Sequence, residues 1–369
     1  MARVAMLRSK CVAGVEPRLD REARALAEEG HEVHAILWDR DVAFPETERR
    51  AGYTIHRVRL RAPYGRASLL WKLPRWWRKA FALLKTLRPD VVHAADYDTV
   101  RPALRAKASW GAKFVFDVWD FYGDMITRRI PSPVRRWIAR REGRAVGRAD
   151  LVILPDLARR ARLPVEPARL IEVANVPEER PVVAHRHGRF HLFYAGNLAN
   201  DRGLQSLVSA CESAGADLVV AGQGPDERAI VALLASSPAA TFLGVIPHEQ
   251  VLERTAGADV IPVLYDPAVP NNRLASPNKL FEAMMFGVPV VVSDGIGVAD
   301  LVRETDIGLV VRYGDVAALS EAVRKLRESP DLRSELGRRG RALYEARFRW
   351  DVMKGRLVEG YRAMGIARP

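Results

Sequence analysis

The stretch Ala275–Asp294, ASPNKLFEAMMFGVPVVVSD, carries a helix and a strand in immediate succession. Ser276 is an N-cap candidate, Pro277 suits the first helical position, and Gly287 punctuates the helix end. Val288–Val292 is the β-branched run of a short buried strand. Asn278, Lys279 and Glu282 stand in the first turns of this otherwise apolar helix. A helix beginning there presents unpaired backbone N–H groups and a positive dipole end, which suits phosphate, and Lys279 adds a full charge. Glu282, about one turn further in, can accept two hydroxyl hydrogen bonds, as from a ribose. A nucleoside diphosphate matches that layout. An N-capped helix with a solvated Lys and Glu fits the stretch equally well when it is read alone.

Outward from this segment, short apolar runs alternate with helical ones. Strands are predicted at Arg3–Leu7, His31–Trp38, Tyr53–Arg59, Val91–Ala94, Lys113–Asp117 and Leu151–Leu154. Pro177–Arg189 (PEERPVVAHRHGR) interrupts the rhythm with prolines and polar residues and reads as a linker. The alternation restarts at His191–Ala195, then Leu218–Ala221, Thr241–Leu243, Val260–Leu264, Val288–Val292 and Leu309–Val311. The tail from Asp315 onward reads as continuously helical. A βα repeat of this kind predicts α/β architecture with largely parallel sheets, here two doubly wound domains in tandem. Ligands of such sheets bind beyond the carboxyl ends of the strands, so the expected site is a cleft between two facing sheets.

Composition narrows the function classes. The chain has 369 residues, 48 % of them hydrophobic, and a net charge of +13. No stretch approaches the ~18 apolar residues of a membrane span, and the apolar run after Met1 is too short for a signal peptide. Cys11 and Cys211 are far apart, which argues against a disulfide framework and fits a reducing cytoplasm. No Cys/His cluster has zinc-site spacing. The positive charge is concentrated: residues 64–89 hold seven Lys/Arg with Trp71, Trp76 and Trp77 and no acid, and residues 127–148 hold eight Arg with one acid. Such a mixture suits the interface of an anionic bilayer, or an amphipathic helix packing its tryptophans on a sheet. For nucleic acid no recognised module accompanies it.

Further segments carry chemistry in the second half. In FYAGNLANDRGL (193–204) a strand ends at Gly196 and Asn197, and Arg202 follows in a polar loop. Gly196 lets a backbone approach a ligand closely, and Arg202 can clamp a phosphate. Gly222 in AGQGP repeats the strand-then-glycine arrangement. Val245 and Ile246 in FLGVIPHEQV can offer backbone groups to a nucleobase edge. In the first half, FDVWDFYGD (116–124) places Asp117, Trp119, Asp120 and Asp124 at a strand's carboxyl end, where aromatic faces and carboxylates suit a sugar. The triplets Asp39-Arg-Asp41 and Asp96-Tyr-Asp98 have the form of a metal-binding DxD, a pattern that arises easily by chance.

The order YAGNLANDRGL, GQGPD, FLGVIPHEQV, SPNKLFEAMMFGVPVVVSD and FRW resembles the retaining glycosyltransferases of family 4. The resemblance covers the C-terminal half and extends weakly into the N-terminal half through VVHAADYD. It implies the GT-B fold: an acceptor-side Rossmann-like domain at 1–180, a donor domain at 181–349, and a last helix, about 350–369, packed back on the first domain. It implies donor contacts at Gly14, Gly196, Asn197, Arg202, Gly222, Val245, Ile246, Ser276, Asn278, Lys279, Leu280 and Glu282, with Glu282 on the ribose. Arg202 and Lys279 would stabilise the departing diphosphate, and Asp120 would meet the reacting sugar or acceptor hydroxyl. His93, Asp117, Trp119 and Asp120 form the expected acceptor side. No metal or other cofactor is implied beyond the nucleotide sugar as co-substrate; the acceptor would be a glycan or lipid-linked sugar at the inner face of a membrane. The sequence departs from the family at Leu274, where many members carry a second Glu, so Asn271, Asn272 or Arg273 would take the sugar contact. That departure also motivates two alternatives, an inactive relative that binds a partner or membrane, and a nucleotide-sugar epimerase.

Overall fold

A computed structural model describes residues 1–11, 14–62, 69–125, 132–185 and 187–366. The chain divides into two compact units, Met1–Ala174 with Met353–Pro369, and Asn175–Val352.

The first unit is built on eight strands: β1 (Arg3–Arg8), β2 (Glu32–Asp39), β3 (Thr47–Arg50), β4 (Tyr53–Arg59), β5 (Val91–Ala95), β6 (Lys113–Asp117), β7 (Leu151–Leu154) and β8 (Leu170–Glu172). Their order is β3-β4-β2-β1-β5-β6-β7-β8. All pairings are parallel except β3 with β4. β5 is buried along its whole length and β1 from Val4 onward, as expected of parallel strands covered on both faces, which is why they read as continuous apolar runs. Strand order reverses between β1 and β5, so their carboxyl ends open the crevice where this topology places ligands. Arg8 and Asp96 lie at those ends, and Asp117 and Trp119 at the carboxyl end of the neighbouring β6.

The last helix, Trp350–Ala363, belongs largely to this unit. Tyr361 is 1 % exposed, and its hydroxyl lies 2.8 Å from His93 Nδ1. Gly360 meets Ile171 and Leu151 so closely that a Cβ there would sit 2.7 Å from Ile171 Cδ1. The tail is not one continuous helix. It breaks at Ser329, which caps the helix Pro330–Leu343 by accepting from Leu332 N–H, and again at Arg349, whose ψ of 147° is extended.

The second unit carries β9 (His191–Asn197), β10 (Asp217–Gln223), β11 (Ala240–Phe242), β12 (Ile261–Val263), β13 (Val290–Ser293) and β14 (Gly308–Val311). Two three-stranded parallel sheets, β11-β10-β9 and β12-β13-β14, join through a parallel bridge between Leu192 and Val260. The resulting order, β11-β10-β9-β12-β13-β14, is that of a dinucleotide-binding sheet, with its switch point between β9 and β12.

The basic helix Leu69–Leu87 shows what its tryptophans do. Trp76 is fully buried and stacks on Trp38 at 5.9 Å, an aromatic contact worth about 0.5–1.5 kcal/mol beyond its area. Trp77 donates its indole N–H to Asp98 O at 2.6 Å. Only Trp71, 79 % exposed, points to water among the three. Residues 64–68 of that basic stretch and 127–131 of the second lie outside the described residues, as does the side chain of Asp124.

Candidate functional site

The second unit gathers most of the expected donor residues on the carboxyl ends of its strands. A cavity of about 610 Å³ is lined by Ala195–Asn197, Ala221–Gly224, Glu227, Val245, Ile246 and Val251. Glycine is required on its floor. A Cβ on Gly222 (φ 135°) would lie 1.9 Å from the carbonyl oxygen of Gly196, so β9 and β10 approach each other here only without side chains. Val245 is 67 % exposed beside this cavity. Gln223, Gly224, Glu227 and Val251 are wall residues that the motif reading did not single out, although Gln223 and Gly224 belong to the quoted AGQGP.

The helix of the opening stretch runs Asn278–Phe286. Pro277, with ψ 135°, is the residue flanking its start, and no side chain caps it. Ser276 is therefore not the N-cap; it sits one residue earlier, and its Oγ is buried with no hydrogen-bond partner. Leu280 is fully buried, and Asn278 accepts from Asn175 Nδ2 at 2.9 Å.

Lys279 is not the solvated cation of the plain capped-helix alternative. It is 9 % exposed, and its Nζ is buried without a hydrogen-bond partner. The ammonium lies 3.5 Å above the centre of the Tyr194 ring. A Cβ on Gly196 would be 3.3 Å from Nζ, so the lysine head and the Gly196 backbone face each other directly. Burial, and then the positive charge of Arg202, pull the Lys279 pKa down to about 7, against the smaller upward pull of Glu282. A buried ammonium without an acceptor is costly, and it is relieved by an anion that brings its own charge.

Arg202 is fixed by a polar triangle. Its Nη1 donates to Asp201 Oδ2 and to Asn272 Oδ1, both at 3.0 Å, and its guanidinium lies 4.2 Å over Tyr265. Asn272 in turn donates to Asp201 Oδ2 and Asp266 O, both at 3.0 Å. Its amide is thus fully used, which removes it from the candidates for a sugar contact near Leu274. Arg273 donates to Pro267 O at 2.7 Å, and Leu274 closes the short 3-10 turn Pro270–Leu274. Glu282 is 6 % exposed, with His248 Nε2 4.0 Å from its carboxylate.

The first unit corrects several expectations. His93 and Asp117 are both completely buried. Arg18 donates to Glu22 Oε1 at 2.9 Å and to Asp117 Oδ1 at 2.8 Å, and Trp119 Nε1 donates to Asp117 Oδ2. Burial pushes the Asp117 carboxyl up, but Arg18 and His93 outweigh it and hold it below its usual range. Glu22 goes the other way, raised by burial and by Asp117. The ligand atoms of Glu22, His93 and Asp117 lie within 4.8 Å of one another, and Arg18 supplies the positive charge that such a set otherwise takes from a cation. His93 and Asp117 are thus core groups behind the surface, not groups presented to an acceptor.

Trp119 and Asp120 are half-buried and remain at the carboxyl end of β6. Arg8 stacks over the Trp119 ring at 3.9 Å, and Arg159 Nη1 donates to Trp119 O at 2.5 Å. Burial, then the charge of Asp96, raises the Asp120 carboxyl above its usual range. Gly14 also belongs to this unit; its carbonyl accepts from Arg57 Nη2 at 3.0 Å. Both DxD-like triplets have structural work. Asp39 accepts the N–H groups of Ala43 and Phe44, and Asp98 accepts from Ser9 Oγ.

Lys279 makes the stability of the second unit pH-dependent with a defined sign. The unfolded lysine keeps its proton to about 10.4, whereas the folded one releases it near 7. Between those values the unfolded state binds more protons, so stability rises with pH. Lys279→Met should therefore raise the melting temperature most at pH 6, with the advantage shrinking as pH climbs to 9. A pH-independent difference in thermal melts would contradict the buried, partnerless ammonium.

Known proteins share this architecture. Residues 175–343 match the family model described as "Glycosyl transferases group 1", and residues 13–163 match "Glycosyl transferase 4-like domain". The GDP-mannose-dependent alpha-mannosyltransferase of Mycolicibacterium smegmatis is 27 % identical over 96 % of this chain and 94 % of its own length. The alpha-D-kanosaminyltransferase of Streptomyces kanamyceticus is 22 % identical over 64 % of this chain, which spans 66 % of that relative. The solved sucrose-phosphate synthase from Thermosynechococcus elongatus superposes with a TM-score of 0.83 at 18 % identity, covering 99 % of both chains. Matching models over both units, a parallel-sheet unit with a dinucleotide-type switch point and a shared fold make one assignment: the chain belongs to the family 4 glycosyltransferases of GT-B fold.

Proposed function

We propose that this glycosyltransferase moves a sugar from a nucleoside-diphosphate sugar to a glycan or lipid-linked acceptor, with retention of anomeric configuration and without a metal ion. The observation that carries the reading is the partnerless Lys279 ammonium at the first turn of the Asn278–Phe286 helix, facing Gly196. A diphosphate there would meet Lys279, Ser276 Oγ, Arg202 and the first helical N–H groups near Asn278 and Leu280. Glu282 would take the ribose hydroxyls, and the base would enter the cavity beside Gly222, Val245 and Ile246. Cations fixed around a leaving diphosphate stabilise the charge that develops as the glycosidic bond breaks, which is the role a metal fills elsewhere. In the first unit, Asp120 and Trp119 are the groups left to meet an acceptor.

Leu274 supports a second reading, a relative that binds nucleotide without transferring sugar. Thermal melts with GDP, UDP, ADP, CDP and dTDP, each with EDTA and then with magnesium, separate the readings in combination with a transfer assay. One nucleotide at 100 times its dissociation constant should stabilise the chain by about 2.7 kcal/mol in EDTA. Glu282→Ala should weaken that nucleotide by about 1.5–3 kcal/mol. A shift that appears only with magnesium would remove metal independence. Nucleotide binding without transfer from any matching sugar nucleotide would favour the inactive relative, and conversion of the donor alone would indicate an epimerase.

The basic helix supports an anionic membrane as the place where the acceptor is met. Trp71, Arg75, Arg78, Lys79 and Lys85 are exposed and recur at helical spacing on one face. The adjoining helix Val100–Trp110 adds exposed Arg101 and Arg105, stacked on Trp77 and Phe81. No helix of the described residues is long and apolar enough to cross a membrane. Each Lys/Arg near an anionic surface contributes about 1 kcal/mol. Co-sedimentation with phosphatidylglycerol vesicles should be strong, weaken with salt, and fall in Arg75→Glu/Arg78→Glu; equal binding to pure phosphatidylcholine would refute the electrostatic part.

A further inference from the structure

The corner that follows β6 in the first unit depends on one side chain from the neighbouring strand. Asp96 comes directly after β5 with φ 68° and ψ 163°. That backbone region is open to glycine and strained for any residue with a Cβ. Among the described residues three other non-glycine positions have positive φ, and Asp96 has the largest value of the four. The carboxylate of this strained residue is used on both oxygens. Oδ1 accepts the N–H of Trp119 at 3.1 Å and the N–H of Asp120 at 3.2 Å. Oδ2 accepts from Arg8 Nη1, and the Arg8 guanidinium is the group stacked on the Trp119 ring. The Asp96 N–H donates to Asp117 O at 2.9 Å, and Thr99 Oγ1 donates to Asp96 O at 2.9 Å.

Glycine would relax this backbone and make none of the carboxylate bonds. The strain is matched by a specific gain: two consecutive amides and the cation that fixes the indole are held by one group. Asp96 is 7 % exposed and its oxygens are occupied, so it does not itself face a ligand. We propose that Asp96 is a positioning residue for the acceptor, setting the Trp119 ring and the Asp120 carboxylate in the arrangement that an acceptor sugar meets. The proposal rests on the transferase reading for its functional half, and on Asp96 holding the corner for its structural half.

Two substitutions separate strain from anchoring. Asp96→Gly keeps the backbone conformation at no steric cost and removes the carboxylate. Asp96→Asn keeps an oxygen that can accept both amides, but puts an N–H group where Oδ2 accepted from Arg8. Amide hydrogen exchange at Trp119 and Asp120 should be about tenfold faster or more in Asp96→Gly and close to wild type in Asp96→Asn. With GDP-mannose and UDP-glucose as donors and octyl α-D-mannoside and octyl α-D-glucoside as probe acceptors, the KM for the acceptor should rise several-fold in Asp96→Gly. The melting shift with GDP or UDP should not change, and Asp96→Asn should recover the share of the acceptor KM that the two amides carry, short of the share carried by Arg8 on the Trp119 ring. Unchanged exchange in Asp96→Gly overturns the anchoring. Faster exchange with an unchanged acceptor KM overturns the positioning role. A wild-type chain with no acceptor-dependent nucleotide release for any pair overturns the transferase reading and the acceptor role together, while the exchange result still decides whether Asp96 holds the corner.

Discussion

An ammonium taken out of water and given no hydrogen-bond partner is among the less favourable arrangements a fold can hold, and the second unit is arranged around one. Lys279 Nζ has the face of Tyr194 beneath it and the side-chain-free backbone of Gly196 beside it. Cation–π contact recovers part of the desolvation cost, roughly 2 kcal/mol when water is excluded. The helix that carries the lysine adds its positive end in the same place. Arg202, already paired to Asp201 and Asn272, adds more positive field. The buried ammonium, the helix end and Arg202 each raise the free energy of the empty site and lower that of a site containing an anion, while the Tyr194 face offsets only part of that cost. Preorganised charge of this kind needs little rearrangement when a leaving group becomes negative.

The first unit handles charge in the opposite way. Arg18 bridges Glu22 and Asp117, Arg8 pairs with Asp96 and Glu16, and Tyr361 covers His93. These groups are matched internally and hold strands β1, β5 and β6 to the final helix. Their common product is a corner at Trp119 and Asp120 that is half-buried and polar. Buried ion pairs of opposite sign specify geometry, whereas a buried cation with no acceptor favours an anionic ligand.

Much of this was legible in the sequence because parallel strands and their helices carry strong periodic signals. Strands β4, β6 and β7 begin and end where the apolar runs do, at Tyr53–Arg59, Lys113–Asp117 and Leu151–Leu154. The strands without a signal were β3, whose TERR is polar because it is an antiparallel edge, and the three-residue β8. The glycine positions and Lys279 were legible from strand-then-glycine spacing and from polar residues in an apolar helix. Burial of Lys279 was not, since a lysine at a helix start looks the same whether its head meets water or the ring of Tyr194, eighty-odd residues earlier. The same limit applies to His93 and Asp117: that they face Tyr361, Arg18 and Glu22 is a long-range fact with no local pattern. Asp96 was noticed only as part of a DxD-like triplet, because backbone strain leaves no trace in residue type.

Proton uptake on nucleotide binding tests the central claim most directly. At pH 8 a lysine held near 7 is largely neutral, and a diphosphate against it restores the charge. The nucleotide has little proton to release at that pH, because a terminal phosphate loses its second proton near ~6. Titration calorimetry with the nucleotide that stabilises the chain, repeated at pH 8 in buffers of different ionisation enthalpy, reads the protons exchanged. The account predicts an uptake approaching one proton per nucleotide, abolished in Lys279→Met. Binding with no proton uptake in the wild-type chain would mean that Lys279 is not the group awaiting the diphosphate.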